Sequence, residues 1–113
     1  SREKLSVICR DQRLVLPFSE IIYVEIQSHY LVLALHHSTE KPETRARLQD
    51  FAERLPKQLF AQCHRSYIVN LDHIRRLTRE CITMSNQARI PVSQTFAASL
   101  RKKYDCYYMG YKS

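Results

Sequence analysis

The apolar residues of this chain fall in short runs separated by polar pairs, a pattern that predicts many short β-strands. Residues 5–9 read as a first strand, Asp11-Gln12 as the turn after it, and residues 13–16 as an alternating second strand ending at Pro17. Residues 21–26 form a β-branched run, expected to be buried on both faces for part of its length. Gln27-Ser28-His29-Tyr30 is polar with one aromatic and predicts a loop. Residues 31–35 are the next strand, and residues 37–42 a surface turn.

The period then changes. Leu48, Phe51, Ala52 and Leu55 stand at i, i+3, i+4 and i+7, which is one apolar helical face, and Pro56 stops that helix. Strands resume at residues 60–63 and 67–69, joined through His64-Arg65-Ser66. Asn70-Leu71-Asp72-His73 reads as a polar turn. Residues 74–77 and 81–84 suggest a hairpin around Thr78-Arg79-Glu80, and residues 88–92 a last short strand. Ser93 is placed to cap a second helix whose face is Phe96, Ala97, Leu100 and Tyr104. Arg101, Lys102 and Lys103 fall in its expected last turn, where cations suit the helix dipole. Tyr107-Tyr108-Met109-Gly110-Tyr111 offers no usable period. Eight or more strands against two short helices make a mainly β domain, with no helix-turn-helix spacing and no zinc-finger ligand set.

Composition narrows the function. The 113 residues fit one domain, 44% apolar and 26% charged. The single glycine, Gly110, removes every glycine-loop nucleotide site. No apolar run approaches the roughly 18 residues of a membrane span, so no membrane insertion is expected. No signal peptide opens the chain, and its start at Ser1 suggests a domain cut from a longer protein. Cys9, Cys63, Cys81 and Cys106 are too widely spaced for a disulfide framework or a zinc site. They are expected to be reduced, in the cytoplasm, with no metal and no cofactor.

Charge is informative once split. Residues 1–56 hold eight basic and eight acidic residues, whereas residues 57–113 hold ten basic and three acidic, so the whole formal +7 lies in the second half. Such a one-sided field is the footprint of a nucleic-acid or anionic-surface binder, the plainer alternative being a solubilising surface. Catalysis is not expected. Cys63 and His64 are neighbours on an extended strand and point to opposite faces, and no glycine-built nucleophile elbow exists.

The stretch of residues 60–74 is the most unusual in the chain. A compact polar patch, Cys63-His64-Arg65-Ser66, interrupts positions that look buried. Arg65 suits a phosphate or a groove, and Ser66 a phosphate oxygen. His64 reads as a hydrogen-bonded structural residue. Cys63 has two readings: a thiol activated by nearby cations and open to oxidation, or a buried structural thiol.

The order F-x-x-C-H-R-S-Y-I-V-N-L-D-H-I from Phe60 resembles the central signature of the LytTR (LytR/AlgR-type) DNA-binding domain. Three other blocks are similar to that family: Ile21-Ile22-Tyr23-Val24-Glu25 with Ser28-His29-Tyr30, Leu48 through Pro56, and Ile90-Pro91-Val92-Ser93-Gln94 with Leu100. Together they cover about residues 5–104 of a single domain spanning 1–113. The resemblance implies an elongated stack of antiparallel β-sheets with one or two short helices. It also implies the C-terminal output domain of a bacterial response regulator, behind an upstream receiver domain.

Carried onto this chain, the family's DNA contacts fall on His29 with Ser28 and Tyr30, on Arg65 with Ser66, and on Gln94 with Ser93 and Thr95. The partner implied is double-stranded promoter DNA, read in successive major grooves by two copies on a repeated site. Many members carry Arg where this chain has Gln94. Gln suits adenine N6/N7 rather than guanine, so either the base preference shifts or Gln94 merely caps the final helix. Arg75, Arg76, Arg79, Arg89, Lys102 and Lys103 are candidate phosphate contacts. Two other functions fit a basic β domain: a protein-interaction module for an acidic partner, and an RNA binder that stacks bases on Tyr30, Tyr67 or the tail tyrosines.

Overall fold

The computed structural model describes residues 3–110. A five-stranded antiparallel sheet forms the middle layer, in the spatial order β5-β4-β3-β7-β6. Its strands are β3 (Ile21–Gln27), β4 (Tyr30–Leu35), β5 (Glu43–Thr44), β6 (Phe60–His64) and β7 (Tyr67–Asn70). One face is covered by the hairpin of β1 (Lys4–Cys9) and β2 (Gln12–Pro17) with the short helix α1 (Leu48–Ala52). The other face carries a three-stranded sheet of β8 (Ile74–Leu77), β9 (Cys81–Met84) and β10 (Arg89–Pro91), and the helix α2 (Gln94–Met109). The longest dimension is 40 Å.

Pleating explains the three layers, because alternate side chains of one strand point to opposite faces. Val24, Leu31, Leu33 and Ile68 pack with Val7, Leu16 and Phe51 on the first face. Ala34, Ala61, Cys63 and Val69 pack with Ile82, Met84, Ile90 and Leu100 on the second. The β3 run is therefore buried on both sides through Val24, as its composition predicts. Pro91 is tolerated because β10 is an edge strand.

Four expectations are corrected. The polar segment 27–30 is no loop: β3 and β4 close at Gln27 opposite Tyr30, leaving only Ser28 and His29 to turn, with Ser28 left-handed at φ 59°. The first hairpin likewise turns on Arg10 (φ 59°) and Asp11, with Gln12 already in β2. Asn70 and His73 are buried rather than surface-polar. The Asn70 amide donates to the Phe18 and Ile21 carbonyls at 3.2 and 2.9 Å, and its oxygen accepts the Asp72 amide at 2.9 Å. His73 Nε2 donates to the Ser19 carbonyl at 2.7 Å, and its Nδ1 lies 2.7 Å from the Ser85 hydroxyl.

The fourth correction concerns α2, which runs 16 residues to Met109 and ends on Gly110 at φ 73°. Arg101, Lys102 and Lys103 thus sit mid-helix, and no cation occupies the last turn. The tail is helical because Tyr107 and Tyr108 are tied down. Tyr107 donates to Asp72 Oδ1 at 2.9 Å, and Tyr108 donates to the Leu71 carbonyl. Tyr111 lies outside the described residues.

Candidate nucleic-acid interface

Strand order places the candidate residues. In β5-β4-β3-β7-β6 the β3–β4 and β6–β7 hairpins are neighbours, and both turn at the same end of the sheet. Their turns lie about two strand spacings, or 10 Å, apart. The Ile26 amide donates to the Ser66 carbonyl at 2.9 Å, locking one turn to the other. The Ser93 amide donates to the Cys63 carbonyl at 3.0 Å, which brings the start of α2 to the same end. His29, Arg65 and Gln94 therefore follow one another along that end, and all three are exposed.

Each tip has its own local cause. At β6–β7 Cys63 follows Ala61 into the core by ordinary strand alternation, a bulge between Gln62 and His64 then shifts the register, and Arg65 stays in solvent. His64 Nδ1 accepts the Ser66 amide at 3.1 Å, the structural task expected of it. Tyr67 supports the turn from below. Its hydroxyl donates to Glu25 Oε2 at 2.9 Å, and burial together with that carboxylate pushes its pKa up to about 12. Ser93 occupies the N-cap position of α2, but its side chain makes no cap bond. Its buried hydroxyl has no hydrogen-bond partner among the described residues. The first turn of α2 holds no acid, so its free amides remain electropositive.

Ser28, Tyr30 and Thr95 are exposed beside these tips, and Ser66 is half-buried. The basic candidates divide. Arg79 reaches the same end, because the Glu80 carbonyl beside it accepts the Val92 amide at 3.0 Å. Arg76 and Arg89 flank Thr83 across the outer face of the three-stranded sheet. Arg75 belongs to the opposite end, where its guanidinium donates to the Asp72 carbonyl at 3.2 Å. Lys102 and Lys103 also lie away from the tips. Lys103 donates to the Phe60 carbonyl at 3.0 Å, at the far end of β6, and burial lowers its pKa. Of the two readings of Cys63, the structure has the buried thiol: it is fully buried, and desolvation pushes it up to about 12.

Sequence reasoning passed over two arginines near the tips, Arg10 and Arg45. Both come from the charge-balanced half of the chain. No sequence signal marked them; in the fold Arg45 lies over the Tyr30 ring, 5.7 Å from its centroid.

Among the described residues no group of three or more His, Cys, Asp or Glu side chains could hold a metal ion. No described helix is long and apolar enough to cross a membrane.

The chain is a strand-built stack of the antiparallel β class, with exposed polar tips lined up on one end. The LytTr DNA-binding domain family matches residues 11–105, and the chain belongs to that family. The family comprises DNA-binding domains of response regulators. The chain is similar to the sensory transduction protein LytT of Bacillus subtilis strain 168, with 27% identity over 107 residues. That match covers 89% of this chain and 43% of the relative, so the chain spans less than half of LytT's length. Its fold is similar to that of the LytTr DNA-binding domain of a putative methyl-accepting/DNA response regulator from Bacillus cereus. The TM-score is 0.78 at 30% identity, covering 91% of this chain and 97% of that one.

Proposed function

We propose that the domain binds double-stranded DNA sequence-specifically and acts as the transcription-regulating output of a longer response regulator. His29 and Gln94 enter successive major grooves, and Arg65 reaches the minor groove between them. The observation that carries this reading is the locking of three exposed polar tips to one end by the Ile26–Ser66 and Ser93–Cys63 backbone hydrogen bonds. A side chain on a turn fixed in this way loses less freedom on binding than one on a mobile loop.

At the last tip, Gln94 reads adenine, and the unpartnered Ser93 hydroxyl and first-turn amides of α2 receive a phosphate. Arg79, Arg76 and Arg89 add phosphate contacts that hold the duplex without specifying it. Two copies occupy a repeated site. Tyr67 is engaged by Glu25 and the ends of Tyr107 and Tyr108 by Asp72 and Leu71, which argues against the base-stacking RNA alternative.

Selection from a randomised duplex library, then anisotropy titration of the recovered sequence against its scramble at matched salt, tests the reading. The recovered duplex binds tighter than the scramble and carries adenine at the Gln94 position. His29→Ala, Arg65→Ala and Gln94→Ala each cost on the order of 1–3 kcal/mol on the selected duplex and little on the scramble. Equal affinity of the unaltered protein for the two duplexes rejects specific reading.

A further inference from the structure

Beside the first tip lies a concavity of about 680 Å³ lined by Ile8, Arg10, Tyr30, Glu43, Thr44 and Arg45. We propose that it is a phosphodiester site for DNA outside the three-tip footprint, with Arg10 and Arg45 as ligands. This rests on the DNA-binding reading above and extends it to the β1–β2 turn, whose Arg10 precedes the first residue of the family match.

Three observations converge. The first is position. The buried Thr44 side chain donates through Oγ1 to the Ile8 carbonyl at 2.7 Å, which pins β1 to β5. Thr44 also pairs with Leu31, directly after Tyr30. The Arg10-Asp11 turn is thus brought to the same end as the Ser28-His29 turn, one to two strand spacings further out. That is about 5–10 Å, or about one and a half to three base pairs of duplex rise.

The second is charge. Arg10 and Arg45 are exposed, and neither forms an ion pair among the described residues. Elsewhere Arg47, Lys57 and Arg101 are each matched by an acid three or four residues away. Within the concavity two guanidinium groups face one carboxylate, Glu43. Arg10 and Glu43 also border the adjoining hollow, where Asp11, Glu40 and Lys41 join them.

The third is support. Tyr30 is 40% exposed and floors the site, and Arg45 stacks over its ring. Such stacking holds a guanidinium plane while leaving its N–H groups free for phosphate oxygens. Glu43 opposes an anion at this place, so its neutral form should improve the site. Two substitutions of opposite sign thereby become diagnostic.

The experiment uses the selected duplex in two lengths, one ending flush with the protected edge beside His29 and one carrying six further base pairs there. The unaltered protein gains roughly fivefold in affinity from the extension. Arg10→Gln and Arg45→Ala each lose most of that gain, the double variant loses all of it, and Glu43→Gln gains more. Arg101→Ala removes the same charge elsewhere and keeps the full gain. Circular dichroism melting checks that the variants fold. A double variant that retains the gain, or an unaltered protein that binds both lengths equally, overturns this site while leaving the three-tip reading intact. Absence of specific binding to either length overturns both.

Discussion

Cys63 shows how one residue's surroundings decide between two readings that its neighbours in sequence leave open. Next to His64 and Arg65 it suggests either an activated thiol or a buried one, and strand alternation sets it beside Ala61 in the core. Its thiol is raised by burial from 9.0 to about 12. A group whose pKa rises on folding favours the folded state while it stays protonated. Its contribution is complete below about pH 9 and is lost as pH climbs toward about 12. In a variant whose other cysteines are serine, a thiol reagent at neutral pH labels Cys63 only at the rate of unfolding, and peroxide leaves DNA affinity unchanged. Rapid labelling of the folded protein contradicts this. The identity of the tip residues was legible in the sequence, because their blocks match a known order. The choice between an exposed and a buried Cys63 was not, because alternation alone does not say what covers the face it shares with Ala61.

Elements were legible where their period was clean. The strands at residues 21–26, 31–35 and 60–63 and the face of Leu48, Phe51 and Leu55 appear close to where the pattern puts them. The end of α2 was missed, although Leu100, Tyr104, Tyr107 and Tyr108 keep helical spacing, because aromatic and polar residues blur the apolar face there. The two-residue β5 was missed because two residues carry no period. What keeps the last turns of α2 helical is the pair of phenol contacts to Leu71 and Asp72. Burial and the Asp72 bond together push Tyr107 up to about 12. Replacing both Tyr107 and Tyr108 by Phe should cost about 1 kcal/mol, since these hydroxyls are partly in water. Helix fraying should follow, seen as faster amide exchange after Tyr104, with DNA affinity preserved because Gln94 lies at the other end. Loss of DNA affinity on this change would show that the two ends of α2 are coupled.

Across the whole molecule, one side chain ties distant parts of the chain together. Asn70 bonds Phe18, Ile21 and Asp72, joining the entry to β3 with the exit from β7. Removing it takes a partner from the Ile21 carbonyl and the Asp72 amide and one of two from the Phe18 carbonyl, so Asn70→Ala should lower unfolding free energy by about 3 kcal/mol in a urea titration. A change below about 1 kcal/mol would mean that water replaces it. This cross-link was not readable in advance, because a polar residue between apolar runs looks like a turn until its partners are known. The sheet order that gathers the tips was likewise hidden from hydropathy, since pairing between residues 21–27 and 67–70 is non-local.

The chain spends its single glycine on the end of α2 and holds Arg10 and Ser28 left-handed without one. Each such position costs about 1 kcal/mol that glycine would return. Selection for robustness alone would install glycine at both turns. At Arg10 that would delete the cation, and at Ser28 it would loosen the backbone that aims His29. His37 and Gln87, left-handed as well, are outside the tips and open to such a swap. Thermal hardening of this domain therefore has two safe addresses and two that trade durability for recognition.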